Sequence, residues 1–133
     1  MWTFRQSDGW LLDSNGARVA QGYSGRGACK NNPLKQSFPD NGPIPVGSYH
    51  PGKPEDSPHL GPFAIPLEPY DSNEMFGRSG FFMHGDSVSH PGQASDGCII
   101  LSHPARTLFY AANEDLQVIA GPPNLVTDPE IAT

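Results

Sequence analysis

Apolar residues along this chain come in short runs, each closed by a turn residue, a rhythm that predicts strands and loops rather than long helices. "WTFR", "GWLL" and "ARVAQGYS" read as a β-meander, with "QSD" before Gly9 and "DSNG" as its turns. Residues 26–43 read as loop. "PIPVGSYH" is expected as an edge strand, because its prolines donate nothing to a ladder, and "LGPFAIPLEPY" as a second proline-limited strand after the loop "KPEDSPH". "DSNEMFGRSG" predicts one helical turn, capped by Ser72 and ended at Gly77. "FFMHG" is a strand ending at His84, and "CIIL" a buried strand or helical turn. "SHPARTLFYAAN" carries the helical period: Ala105, Leu108, Phe109 and Ala112 share one face, behind Ser102 as N-cap and Pro104 in the first turn. "LQVIAG" closes the domain as a strand. The expected fold is mainly β, a sandwich or meander with one or two short helices, over a single domain of residues 1–121 and a C-terminal tail of 122–133.

Composition changes this picture little. Gly and Pro number fifteen each among 133 residues, so long helices are largely excluded, yet the apolar runs, without charge blocks or repeats, argue against disorder. A formal net charge of −6 speaks against binding a phosphate backbone. No apolar run is long enough to span a bilayer. "MWTFRQSDGW" lacks the basic and apolar regions of a Sec signal, so the expectation is a protein made in the cytoplasm that works there or leaves by another route.

The chemistry concentrates in "FFMHGDSVSHPGQASDGCII", residues 81–100. Four readings compete for it. Cys98 before Ile99, Ile100 and Leu101 suits a buried small hydrophobe, as Cys29 does in its loop. Cys29 and Cys98 are the only cysteines, and one disulfide between them is arithmetically possible. His84, His90, Cys98 and His103 together offer zinc-binding atoms, but without the tight ligand pairs of structural zinc. The fourth reading is a thiol nucleophile. Such a thiol needs a base, here His84 at a strand end, and donors for an oxyanion, here the N–H groups of Asp96, Gly97 and Cys98. Gly97 allows the sharp turn this requires.

His84-Gly85, a short loop and Ser95-Asp96-Gly97-Cys98 resemble the signature of the L,D-transpeptidases of bacterial cell walls, and "NGPIPVGSYHPG" resembles the upstream strand of that family. "YSGRG", "NNP", "GPIPVGSY", "GRSGFFMHGD" and "SDGCI", spread over roughly residues 22–101, are closer still to a compact branch exported by type VI secretion systems. Two positions depart from the family: Asp96 stands where it has His, and Ile100 where it has Arg. The resemblance implies a cysteine L,D-carboxypeptidase or L,D-transpeptidase that acts on peptidoglycan tetrapeptide stems, an antibacterial effector working in the periplasm of a target cell. Cys98 is the implied nucleophile and His84 its base, with Gly85, Asp86 and Ser95 as candidates to orient or support them. Arg78, Arg106 and Arg26 are candidates to hold substrate in place of the missing Arg. No metal or cofactor is implied. The implied partners are the stem peptide, the secretion apparatus and a cognate immunity protein. The alternative is a non-catalytic wall-binding module, or a β module stabilised by zinc or a disulfide.

Overall fold

The computed structural model of the chain describes residues 1–122. The tail expected over 122–133 lies, from residue 123 on, outside the described residues. The fold is mainly β. Strands β1 (Trp2–Arg5), β2 (Trp10–Leu12) and β3 (Arg18–Gln21) form the expected meander. They are followed by β4 (Tyr23–Ser24), β5 (Gly47–Pro51), β6 (Glu55–Ser57), β7 (Gly61–Pro69), β8 (Phe82–His84), β9 (Ile99–Ile100) and β10 (Leu116–Ile119). One α-helix, α1 (His103–Ala112), occurs among the described residues, and the 26–43 loop contains two single 3-10 turns, Gly27–Cys29 and Pro33–Lys35.

The strands join in the order β3-β2-β1-β10-β5-β7-β8-β9-β4, with β6 also on β7. β10 enters parallel to β1, Trp2 opposite Leu116 and Phe4 opposite Val118, so the last strand closes over the first. All four of these side chains are buried, and the other core residues include Leu11, Ile44, Tyr49, Ile65, Met83, Ile99 and Phe109. Phe109 of α1 meets the Trp2 ring edge-on at 5.6 Å and is fully buried, which stabilises the helix by about 1.5–3 kcal/mol.

Four expectations for the strands and loops change. β5 is not an edge strand: it lies between β10 and β7, because Pro43 and Pro45 fall before it and Pro51 only at its end. "KPEDSPH" is not wholly loop. Its Glu55–Ser57 segment continues the course of β5 past Gly52 and pairs with the first half of β7. "ARVAQGYS" divides at Gly22, where a Cβ would lie 1.7 Å from the Ile100 carbonyl oxygen; β3 stays with the meander while β4 crosses to β9. "DSNEMFGRSG" forms turns instead of a helical one, since Phe76 and Gly77 are both left-handed (φ 56° and 71°). Asn73 there ties the segment to β5 through the N–H and carbonyl of Ser48.

The helix starts as expected, with Ser102 Oγ accepting from the Ala105 N–H, and ends on left-handed Asn113. Its inward face differs: Leu108 is 58% exposed, and Arg106 is buried beside Ala105 and Phe109. The guanidinium is accommodated because the carbonyls of Leu101, Phe63 and Pro62 all accept from it.

Candidate active site

β8 and β9 run parallel, Met83 opposite Ile99 and His84 opposite Ile100. Met83 and Ile99 are fully buried in the core, so the strand alternation turns His84 and Cys98 to the opposite side of the pair. In this parallel register Cys98 stands level with Phe82 at the start of the pair and His84 at its end, so a thiol and an imidazole fourteen positions apart in sequence share one face of two short strands.

The turn before Cys98 is built from backbone. Gly97 has φ +134°, and a Cβ there would stand 2.5 Å from Arg78 Nη2 and 2.8 Å from the Phe81 ring, so glycine is required for both conformation and space. Ser95 is fully buried; its hydroxyl accepts from the N–H groups of Gly25 (2.9 Å) and Gly97 (3.0 Å) and donates to the Cys98 carbonyl (2.6 Å). Ser24 Oγ donates to the Gly97 carbonyl and accepts from the Ile44 N–H. The Gly97 N–H is thus turned inward, and of the three expected oxyanion donors only Asp96 and Cys98 have N–H groups without a hydrogen bond among the described residues. Ser95 braces the turn before Cys98 and makes no hydrogen bond to His84.

Cys98 Sγ accepts from the Phe82 N–H at 3.3 Å, and it is not hydrogen-bonded to His84. Burial pushes the thiol up to about 11; the Asp96 charge adds to this, while the Phe82 N–H and Arg78 oppose it. The resting sulfur is therefore a thiol. His84 is buried, with Nδ1 2.8 Å from the Gly85 carbonyl oxygen. A carbonyl only accepts, so Nδ1 carries the hydrogen and the neutral ring keeps its lone pair on Nε2. Burial lowers the His84 pKa below its ordinary value, opposed by the Gly85 bond, with the charge of Arg106 adding to the lowering. Gly85, not a carboxylate, orients the ring.

Asp86 serves the neighbouring loop. Its carboxylate accepts from Tyr23 Oη (2.7 Å) and from the N–H groups of Ser87 and Gly92. Burial alone would raise its pKa, but the bonds from Tyr23, Gly92 and Ser87 outweigh this and hold it below the ordinary value. Tyr23 Oη also accepts from the Ala94 N–H, closing both ends of the 86–94 loop on β4.

The three candidate arginines are placed differently. Arg106 faces the three carbonyls named above. Arg78 lies over the Phe81 ring and donates to the carbonyls of Gln36, Pro43, Gly42 and Asp96, stitching the 36–43 loop to the nucleophile turn. Arg26 alone keeps a half-exposed guanidinium, paired with Asp96 at 3.3 Å. Cys98 opens into a cleft of about 280 Å³ lined by Asp40, Arg78, Phe81 and Asp96. His84 opens into a second cleft of about 590 Å³, lined by Arg26, His59, Asp86 and His90. The Arg26–Asp96 pair bridges the two.

The competing readings find less support in this geometry. Cys29 and Cys98 are both free thiols. Among the described residues no three His, Cys, Asp or Glu side chains, His84, His90, Cys98 and His103 included, converge as metal ligands. No helix among the described residues is long and apolar enough to cross a membrane.

Sequence reasoning passed over Tyr23 and Ser24 as chemistry. The signal was present: two hydroxyl residues, Tyr23 and Ser24, at the end of an expected strand and immediately ahead of a glycine. Residues 18–120 match the family model of the Tlde1 domain, a span that takes in every residue of the site. No curated protein and no solved structure matches the chain.

Proposed function

The chain belongs to the Tlde1 domain family, a family of type VI secretion effectors, and from that premise we propose that it is an antibacterial cysteine enzyme that cuts peptidoglycan tetrapeptide stems. The observation that carries this reading is the placement of a thiol and a neutral imidazole with a free Nε2 on the same side of β8 and β9, beside two open N–H groups. The stem peptide as substrate follows from the resemblance to the L,D-transpeptidases, not from the site alone.

The chemistry is acyl transfer. The carbonyl of the stem's third residue, a diamino acid, settles between Sγ and the N–H groups of Asp96 and Cys98 and draws the thiol from its rest on the Phe82 N–H toward His84. Hydrogen bonds of this kind tighten in the Michaelis complex. His84 Nε2 takes the thiol proton as sulfur forms its bond to the carbonyl carbon, and the carbonyl electrons move onto the oxygen, held by the two N–H groups. Collapse breaks the C–N bond; protonated His84 gives its proton to the departing terminal D-Ala amine and leaves a thioester on Cys98. Water or the amine of a D-amino acid then attacks the thioester, gives a proton to His84, and expels the thiolate, which recovers that proton. The donor stems that wall synthesis needs are consumed either way. In the proposed setting, the periplasm of a target cell, a cognate immunity protein would protect siblings.

The test is a digest of purified tetrapeptide stems, with and without an added D-amino acid, read by mass against Cys98→Ala. Loss or exchange of the terminal D-Ala that depends on Cys98 is the expected result. Stems left intact by folded wild-type protein would overturn the enzyme reading in favour of a wall-binding module.

A further inference from the structure

We propose that the cleft beside His84 is the subsite of the terminal D-amino acid, leaving and entering, and that Arg26 holds its carboxylate after exchanging Asp96 for it. The inference rests on the acyl-transfer reading above and assigns the polarity of the substrate across the two clefts.

Charge decides the direction. The Cys98 cleft exposes the carboxylates of Asp40 and Asp96, while the guanidinium of its one arginine, Arg78, is committed to four carbonyls. A substrate carboxylate is repelled there. The His84 cleft holds Arg26, and its one carboxylate, Asp86, is already engaged by Tyr23, Ser87 and Gly92. Chemistry points the same way independently: the group that protonates the leaving amine, His84, must face the leaving residue, and that residue carries the free carboxylate.

The Arg26–Asp96 pair suits an exchange of partners. Its side chains are 45% and 69% exposed, so water and salt screen the attraction and the pair opens easily. A substrate carboxylate that accepts two N–H bonds from the guanidinium replaces it with equal charge and better geometry. Freed of Arg26, Asp96 remains at the mouth of the Cys98 cleft, repelling a carboxylate bound there in the wrong direction. Asp96, which stands where the resemblance places a histidine, thus has a role in selecting orientation.

The experiment compares tetrapeptide stems ending in a free D-Ala carboxylate with the same stems ending in D-alaninamide, on wild type, Arg26→Ala and Arg26→Lys. Wild type is expected to favour the free acid by about tenfold or more in kcat/KM, the scale of one charge-assisted hydrogen bond. Arg26→Ala is expected to lose that preference, its kcat/KM on the free acid falling to about that on the amide, and Arg26→Lys to restore part of it. In the exchange reaction, the KM for an added D-amino acid rises with Arg26→Ala. A free-acid preference that survives in Arg26→Ala overturns the assignment while leaving the enzyme reading intact. No turnover of either stem by wild type defeats the enzyme reading itself and this inference with it.

Discussion

Cys98 and His84 are both held neutral by burial, and this sets how activity must respond to pH. The reaction begins with one proton shared between them: the thiol keeps it and His84 is free to take it. Protonating His84 removes the base, so kcat/KM is expected to fall in acid, with its limb below the ordinary histidine value because burial lowers that pKa. The alkaline limb belongs to the thiol, held up at about 11, since its early loss leaves no proton for the departing amine. A rate profile on a soluble tetrapeptide should therefore stay flat through neutral pH and beyond 9. An alkaline limb near 8 would instead mean that the substrate-free enzyme rests as a thiolate–imidazolium pair. The only other cysteine, Cys29, is buried in a 3-10 turn.

Among the elements, β4 has the largest effect for its length. Its two residues pair with β9 through Tyr23 opposite Ile100 and Ser24 opposite Ile99, and their hydroxyls brace the 86–94 loop and the Gly97 carbonyl. Tyr23→Phe removes the donor to Asp86 and the acceptor for the Ala94 N–H, and is expected to cost about 1–2 kcal/mol in urea unfolding at neutral pH. The sign with pH follows from Asp86. Its folded pKa is depressed, so its contribution is present above the unfolded value and disappears as pH falls through the folded one. Tyr23 supplies part of that depression, so the stability gap between wild type and variant should narrow in acid. A gap that widened as pH fell would contradict this account of the loop.

At the scale of the molecule, Arg106 joins three parts: α1 itself, the start of β7 through Pro62 and Phe63, and the end of β9 through Leu101. Without it three carbonyls at this junction lose their donor. Arg106→Met keeps the aliphatic packing and is expected to lower stability by about 2–4 kcal/mol, seen as a lower urea midpoint with an unchanged m-value. A loss of activity with full stability would place Arg106 in substrate binding instead. Arg78 acts similarly between the 36–43 loop and the turn before Cys98, so two of the three candidate arginines serve the scaffold, and the proposed carboxylate contact falls to Arg26.

Periodicity and local chemistry were enough to read the mainly β character, the meander and the capped helix over 103–112, and to single out His84 and Cys98 as the pair on which the proposed function rests. These depend on neighbours in sequence: alternation, turn residues, an N-cap, a glycine before a cysteine. What folding alone decided was every feature that rests on distant segments meeting. Prolines in "PIPVGSYH" suggested an edge, yet β5 became interior because they fall outside its ladder. A helical face drawn through Leu108 was displaced by Arg106, because carbonyls from β7 and the end of β9 were there to accept from it. The partners of Ser95, Tyr23 and Arg26 lie on other strands or turns, and a hydroxyl or guanidinium has no preference until burial removes water as the competitor. The sequence by itself determined which groups can react; the tertiary structure decided which of their neighbours hold them neutral, which brace them, and which stay free.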